Sequence, residues 1–285
     1  MPAITYFRDP FAFTATSGLE KTLRRVFNES VDLIPLSREL MTKPSLWTPE
    51  FSFMFVKPGI TGTRSKYNEL FTDKIFRLEK EHLENGGVQW AECAGAYHSF
   101  EDIKWEPMHG EHRAKISTTP HISGAAIGPI SELYNIAAKE KSQYSDIVLP
   151  RIDVRMDNIY KTITIAYGNG PALYPEDKNA HIIARFSDVE NTPAAVVEKN
   201  MVNGGLLVAS GVIPQYGWMR HGQNTPKSMK DFMDILKGHE LDRELFSDAL
   251  MARLAKRAIE NGLISEDALT KPLSEFPTLG ILSKA

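Results

Sequence analysis

Residues 90–97 read WAECAGAY, and they hold the only cysteine of the 285-residue chain. A strand-like run opens at Val88 and reaches Cys93, where three small residues follow at once: Ala94, Gly95 and Ala96. A strand that passes straight into small residues predicts an abrupt strand-to-helix turn, with the apex side chain raised above the C-terminal edge of a sheet. Small neighbours are required there because strand and helix approach closely. Gly95 meets that need and Ala91 nearly does.

The segments before this turn alternate in the way a parallel sheet with covering helices demands. Ala3 to Phe7 reads as a short strand and Ser17 to Asn28 as a helix with Leu19, Leu23 and Val26 on one face. Val31 to Leu36 is a second strand. Phe51 to Val56 is almost wholly apolar, as expected of a strand covered on both faces. From Ser65 to Glu84, the residues Phe71, Ile75, Leu78 and His82 recur at helical spacing, and Asn85-Gly86-Gly87 supplies the stop. Further strands are expected at Ile152 to Val154, Thr162 to Ala166, His181 to Phe186, Ala194 to Glu198 and Gly205 to Ser210, as additions to one sheet. Two helices follow between Thr225 and Gly262, the second with Leu241, Leu245, Leu250, Leu254 and Ala258 as its packing face. The expected class is therefore α/β: a flavodoxin-like three-layer sandwich with a mostly parallel central sheet, extra β elements and C-terminal covering helices. Residues 1–270 are read as one domain and 271–285 as a loosely attached tail.

Composition narrows the functions. The net charge of −3 carries no footprint for nucleic acid or an anionic membrane. A single cysteine forms no internal disulfide and no cysteine-rich zinc site, so a reducing cytoplasm is the default expectation. The N-terminus lacks the basic start and apolar core of a signal peptide, and no apolar run approaches the ~18 residues of a membrane span. Asn28-Glu29-Ser30 fits a glycosylation pattern of the kind that arises by chance. His109-Gly110-Glu111-His112 lacks the spacing of a helical zinc motif, and no metal or cofactor is expected.

On these residues the chain resembles the class I glutamine amidotransferase-like superfamily, and in particular the N-terminal domain of eukaryotic biotin-protein ligases. The resemblance rests on FMFVKPG at 53–59, ENGGVQWAECAGAYHSF at 84–100, YGNGP at 167–171, ARFSDVENTPAAVVEK at 184–199 and GGLLVASGVIPQY at 204–216, in the family's order. It implies that Cys93 stands at the nucleophile position of a Cys-His-Glu triad, on a nucleophile elbow. The His-Pro-Glu run of that triad would read Ile213-Pro214-Gln215. Ile213 has no nitrogen to take a proton, and Gln215 is a neutral amide that cannot hold an imidazolium by charge. The Pro-Gly-Gly oxyanion turn reads Pro58-Gly59-Ile60, with a β-branched side chain in the third place. The pocket implied by the resemblance is bordered by Pro58, Gly59, Ile60, Ala94, Gly95, Tyr167, Gly168 and Asn169.

Two functions are expected to compete. In the first, the triad is degraded, the protein is no glutaminase, and the pocket over Cys93 binds a small molecule or a protein partner. In the second, Cys93 serves a hydrolase or transferase through another base, with His221 and Glu92 as candidates and Asp9 and His98 as weaker ones. A helix start just after Cys93 would favour its thiolate.

Overall fold

The computed structural model describes residues 2–8, 18–59, 71–105, 112–113, 120–144, 147–215 and 227–282. Strand β1 (Ala3–Phe7) leads into helix α1 (Leu19–Val26), then β2 (Asp32–Leu36), β3 (Ser52–Lys57), α2 (Asp73–Glu84), β4 (Val88–Glu92) and the short helix α3 (Ala94–Tyr97). Next come β5 (Phe100–Trp105), β6 (His112–Arg113), β7 (Ile122–Gly128), α4 (Ser131–Glu140), β8 (Gln143–Tyr144), β9 (Ile147–Val148), β10 (Arg151–Met156) and β11 (Ile159–Thr164). The chain continues through β12 (Ala172–Pro175), β13 (Ala180–Phe186), β14 (Ala194–Asn200) and β15 (Leu206–Ser210) to α5 (Lys227–Gly238) and α6 (Glu240–Glu260).

Thirteen strands form one sheet, in the order β2-β1-β3-β4-β15-β14-β12-β7-β5-β6, with β13, β10 and β11 branching from β14. The run from β2 to β15 is parallel throughout. Antiparallel pairing begins at β14, so the middle strands extend the same sheet, as their Gly-, Asn- and Pro-bounded runs predict. β3 and β4 are buried along their whole length; β3 reads as a nearly unbroken apolar run, whereas β4 buries Gln89 and Glu92 among its apolar residues. One face of the sheet carries α1 and α6, through Leu19, Leu23, Phe246, Leu250 and Leu254 against Ile4, Met54, Val88 and Trp90. The other carries α2, through Ile75, Phe76, Leu78 and Leu83 against Phe7, Phe55 and Ala91. These are the three layers of the expected sandwich.

Several expectations change. Leu241, placed on the packing face of the last helix, is 69% exposed, whereas Leu250, Leu254 and Ala258 are buried. Leu241 sits in the first turn of α6, before the helix reaches the sheet. The tail is bound rather than loose: Phe276, Leu279 and Leu282 are buried, and the Leu282 N–H donates to Ile182 O at 2.8 Å. Arg253 grips Leu279 O at 2.8 Å and pairs with Glu198. Asn28 uses its amide on Asp267 O and Leu269 O, at 2.6 and 3.0 Å, so its side chain serves as a brace in the fold. Lys139-Glu140-Lys141 is an exposed helix end.

Candidate functional site

The parallel half of the sheet delivers the chain to Cys93. β4 ends at Glu92, and the Cys93 N–H donates to Ser210 O of β15 at 2.8 Å, the last rung of the ladder. Cys93 then takes φ 49° and ψ −112°, a positive-φ conformation that a non-glycine residue holds only when its surroundings impose it. Its carbonyl accepts the N–H groups of Ala96 and Tyr97 and opens α3. Gly95 is required by contact: a Cβ there would lie 2.3 Å from the backbone oxygen of Lys57, and backbone has little room to move. The small-residue run after the cysteine thus lets α3 seat against the end of β3.

The cysteine is buried, and its thiol donates to the Gly168 carbonyl at 3.2 Å. That carbonyl belongs to the Tyr167-Gly168-Asn169-Gly170 turn, which three tyrosines suspend. Tyr97 Oη donates to Asn169 O at 3.1 Å. Tyr134 Oη donates to Asn169 Oδ1 at 2.6 Å and accepts the Asn169 N–H at 3.0 Å. Tyr167 Oη donates to Gly170 O at 2.6 Å and accepts the Ile130 N–H at 2.7 Å. Asn169 takes a positive φ of 61°, one of the conformations asparagine tolerates best among residues with a Cβ. The turn is therefore a built part of the site and more than a hairpin connection.

Burial pushes the Cys93 thiol up to about 12, and Glu92 adds to the shift; the Ala94 N–H opposes it. This reverses the expectation that a helix start would favour the thiolate. α3 spans four residues, so few aligned peptide dipoles stand behind the sulfur. A carbonyl oxygen facing the sulfur also favours S–H over S⁻.

The residues expected at the triad positions are engaged elsewhere. Ile213 is buried, and its N–H donates to Ala166 O at 2.9 Å. Gln215 is buried and gives its amide to both carboxyl oxygens of Glu92, at 2.7 Å to Oε2. Glu92, weighed as a solvated residue or a base, is wholly buried. Burial raises its carboxyl to about 8, against the lowering effect of Gln215. The contact joins the end of β4 to the 213–215 turn across 123 residues of sequence.

A family model described as biotin-protein ligase, N terminal, matches residues 7–273. The chain belongs to this family. Among solved structures, it is similar to a glutamine amidotransferase at 11% identity, with 83% of this chain and 98% of that one covered and a TM-score of 0.47. It is similar to PurLQS from Thermotoga maritima at 12% identity, with 82% and 99% covered and a TM-score of 0.43. The mmIFT52 N-terminal domain is similar at 12% identity, with 89% and 97% covered and a TM-score of 0.43. No curated protein matches the chain.

In this biotin-protein ligase N-terminal family member, Pro58 and Gly59 follow directly on Lys57 of β3, whose carbonyl packs on Gly95. Ile60, His221, Asp9 and His109 to Glu111 lie outside the described residues, as does the side chain of His112. His98 caps the end of α3, its ring stacks on Phe76 at 6.2 Å, and burial with the charge of Lys57 holds it well below its ordinary value. Among the described residues no group of three or more His, Cys, Asp or Glu side chains is placed to hold a metal ion. No helix among them is long and apolar enough to cross a membrane.

The contact that sequence reasoning missed is Glu92 with Gln215. A carboxylate just before the cysteine reads locally as a solvated side chain, but β4 is covered on both faces and Glu92 is buried with the rest of it.

Proposed function

We propose that this protein is a glutamine amidotransferase-like domain with a degraded triad, that it does not hydrolyse glutamine, and that it binds a small molecule or a protein partner over the Cys93 turn. The observation that carries this reading is the buried Cys93 thiol donating to Gly168 O. Nucleophilic catalysis needs the thiolate or a base to make it. Here the sulfur keeps its proton against a carbonyl, position 213 offers a hydrocarbon, and position 215 spends its amide on Glu92. Loss of a general base removes about 10²- to 10⁴-fold of rate. The proposal predicts no ammonia release from glutamine by the purified protein beyond a buffer control, and Cys93→Ala that leaves ligand binding intact. Glutamine hydrolysis abolished by Cys93→Ala contradicts it.

The positive φ of Cys93 favours a second reading, in which the turn is a nucleophile elbow of a hydrolase or transferase that uses a base outside the triad. That reading requires a thiol titrating below neutrality and rapid alkylation by iodoacetamide.

A further inference from the structure

A second polar cluster lies between the end of β3 and α2, on the α2 side of the sheet. Lys57, the last residue of β3, is fully buried and donates its Nζ to both oxygens of Glu79 in α2, at 2.9 and 3.0 Å. The ammonium also lies over the rings of Phe71 and Phe76, 4.6 and 4.9 Å from their centroids. Gln89 of β4 donates its Nε2 to the same carboxylate, and His121 Nε2 stands 3.5 Å from Glu79 Oε2. Burial works to raise the Glu79 carboxyl, but Lys57 and then His121 hold it down to about 2.

Stability alone is a poor reason for such a pair. Two buried charges replaced by apolar side chains of similar volume often leave a protein as stable or more so, whereas removing one partner alone is strongly destabilising. What a hydrogen-bonded pair supplies beyond an apolar contact is direction. Lys57 is directed at a sensitive place: its carbonyl is the atom that Gly95 packs on, and Pro58-Gly59 follows it.

We infer that Lys57 is a positioning residue for the site over Cys93: its ion pair with Glu79 sets where the Pro58-Gly59 turn stands against the first turn after the cysteine. The inference rests on the proposed use of that pocket for binding, and it adds the residue that shapes it.

The test compares wild type with the double variant Lys57→Met/Glu79→Leu, reading urea unfolding and the rate of Cys93 alkylation by iodoacetamide across pH. The double variant also takes the carboxylate away from the buried Gln89 and His121, so it is expected to fold but to unfold at a lower denaturant concentration than wild type. Its alkylation profile is expected to move toward that of a free thiol, with the rate near pH 8 rising about tenfold, the change in thiolate fraction that one pKa unit gives. A double variant that folds and alkylates with an unchanged profile overturns the inference, because the pair is then structural only. If the double variant does not fold, Lys57→Arg takes its place. It keeps the charge and alters the geometry of the head group, and the same two outcomes decide. Failure of the binding proposal is read separately, from wild type alone. A wild-type thiol that alkylates at neutral pH as a thiolate sinks that proposal, while the ratio between variants still measures what Lys57 does.

Discussion

Gln215 donates its side-chain amide to both oxygens of Glu92, in a fully buried contact one residue from Cys93. The amide of the 213–215 turn thus meets a carboxyl at the end of the neighbouring strand β4. That carboxyl stands next to Cys93 in the chain and adds to the upward push on the thiol.

A carboxyl placed at position 215 alone is expected to destabilise the protein. Gln215→Glu sets two carboxyls against each other in a buried site, where both cannot ionise. The variant should lose about 2 to 4 kcal/mol of stability in denaturant unfolding at neutral pH, as buried polar groups left without proper partners do. Glu92→Gln in the same chain should recover most of the loss. Full stability in Gln215→Glu alone would mean that the two side chains do not meet.

Glu92 also predicts a pH dependence. Its carboxyl is raised from 4.5 to about 8 on folding, so between those values the folded protein binds more protons than the unfolded chain. Stability from this group is complete below about 4.5 and is lost as pH rises toward 8. The loss is on the order of 5 kcal/mol at 1.36 kcal/mol per unit. Urea unfolding of wild type across this range should show the decline, and Glu92→Gln should flatten it. Equal slopes for the two proteins contradict the buried, neutral carboxyl.

Gly95→Ala tests the seating of α3. The added methyl would lie 2.3 Å from Lys57 O, so the strand or the helix must shift. A cost of about 1 to 3 kcal/mol is expected from overpacking of this kind. A variant as stable as wild type by denaturant unfolding would place α3 further from β3 than described.

The turn that faces the sulfur depends on tyrosine hydroxyls. Tyr134→Phe removes the acceptor of the Asn169 N–H and the donor to Asn169 Oδ1. It should cost about 1 to 3 kcal/mol. It should also loosen Gly168, so that Cys93 alkylates faster. Lost stability with an unchanged alkylation rate would separate the turn from the thiol.

Much of the parallel half is legible because burial on both faces writes itself as unbroken apolar runs, as in FMFV of β3 and at the start of β4. The Cys93 turn is legible for a related reason: close approach demands small residues, and AGA stands where it must. β5 and β7 are not readable in the same way. FEDIKW carries charged residues through a strand, and ISGAAIG is too poor in bulky side chains to show an alternation. Helix α4, with its small and polar residues, gives a weak pattern for the same reason. The polar contacts escape notice because they are non-local. Glu92 with Gln215 and Lys57 with Glu79 are made by the pleat and the crossover of the sheet, and neither pair has a spacing that a linear pattern records. Leu241 shows the converse error, helical spacing extended one turn beyond the surface it packs on.

The most direct test of the account is a titration of Cys93 itself, following the ultraviolet absorbance of the thiolate as pH rises, with Cys93→Ser as the blank. A thiol that keeps its proton beyond about pH 10, well above the ~8.5 of a free cysteine, is the predicted result. A midpoint at or below the free value would show a sulfur prepared for nucleophilic attack, and would contradict the reading of this site as one that binds without glutaminase chemistry.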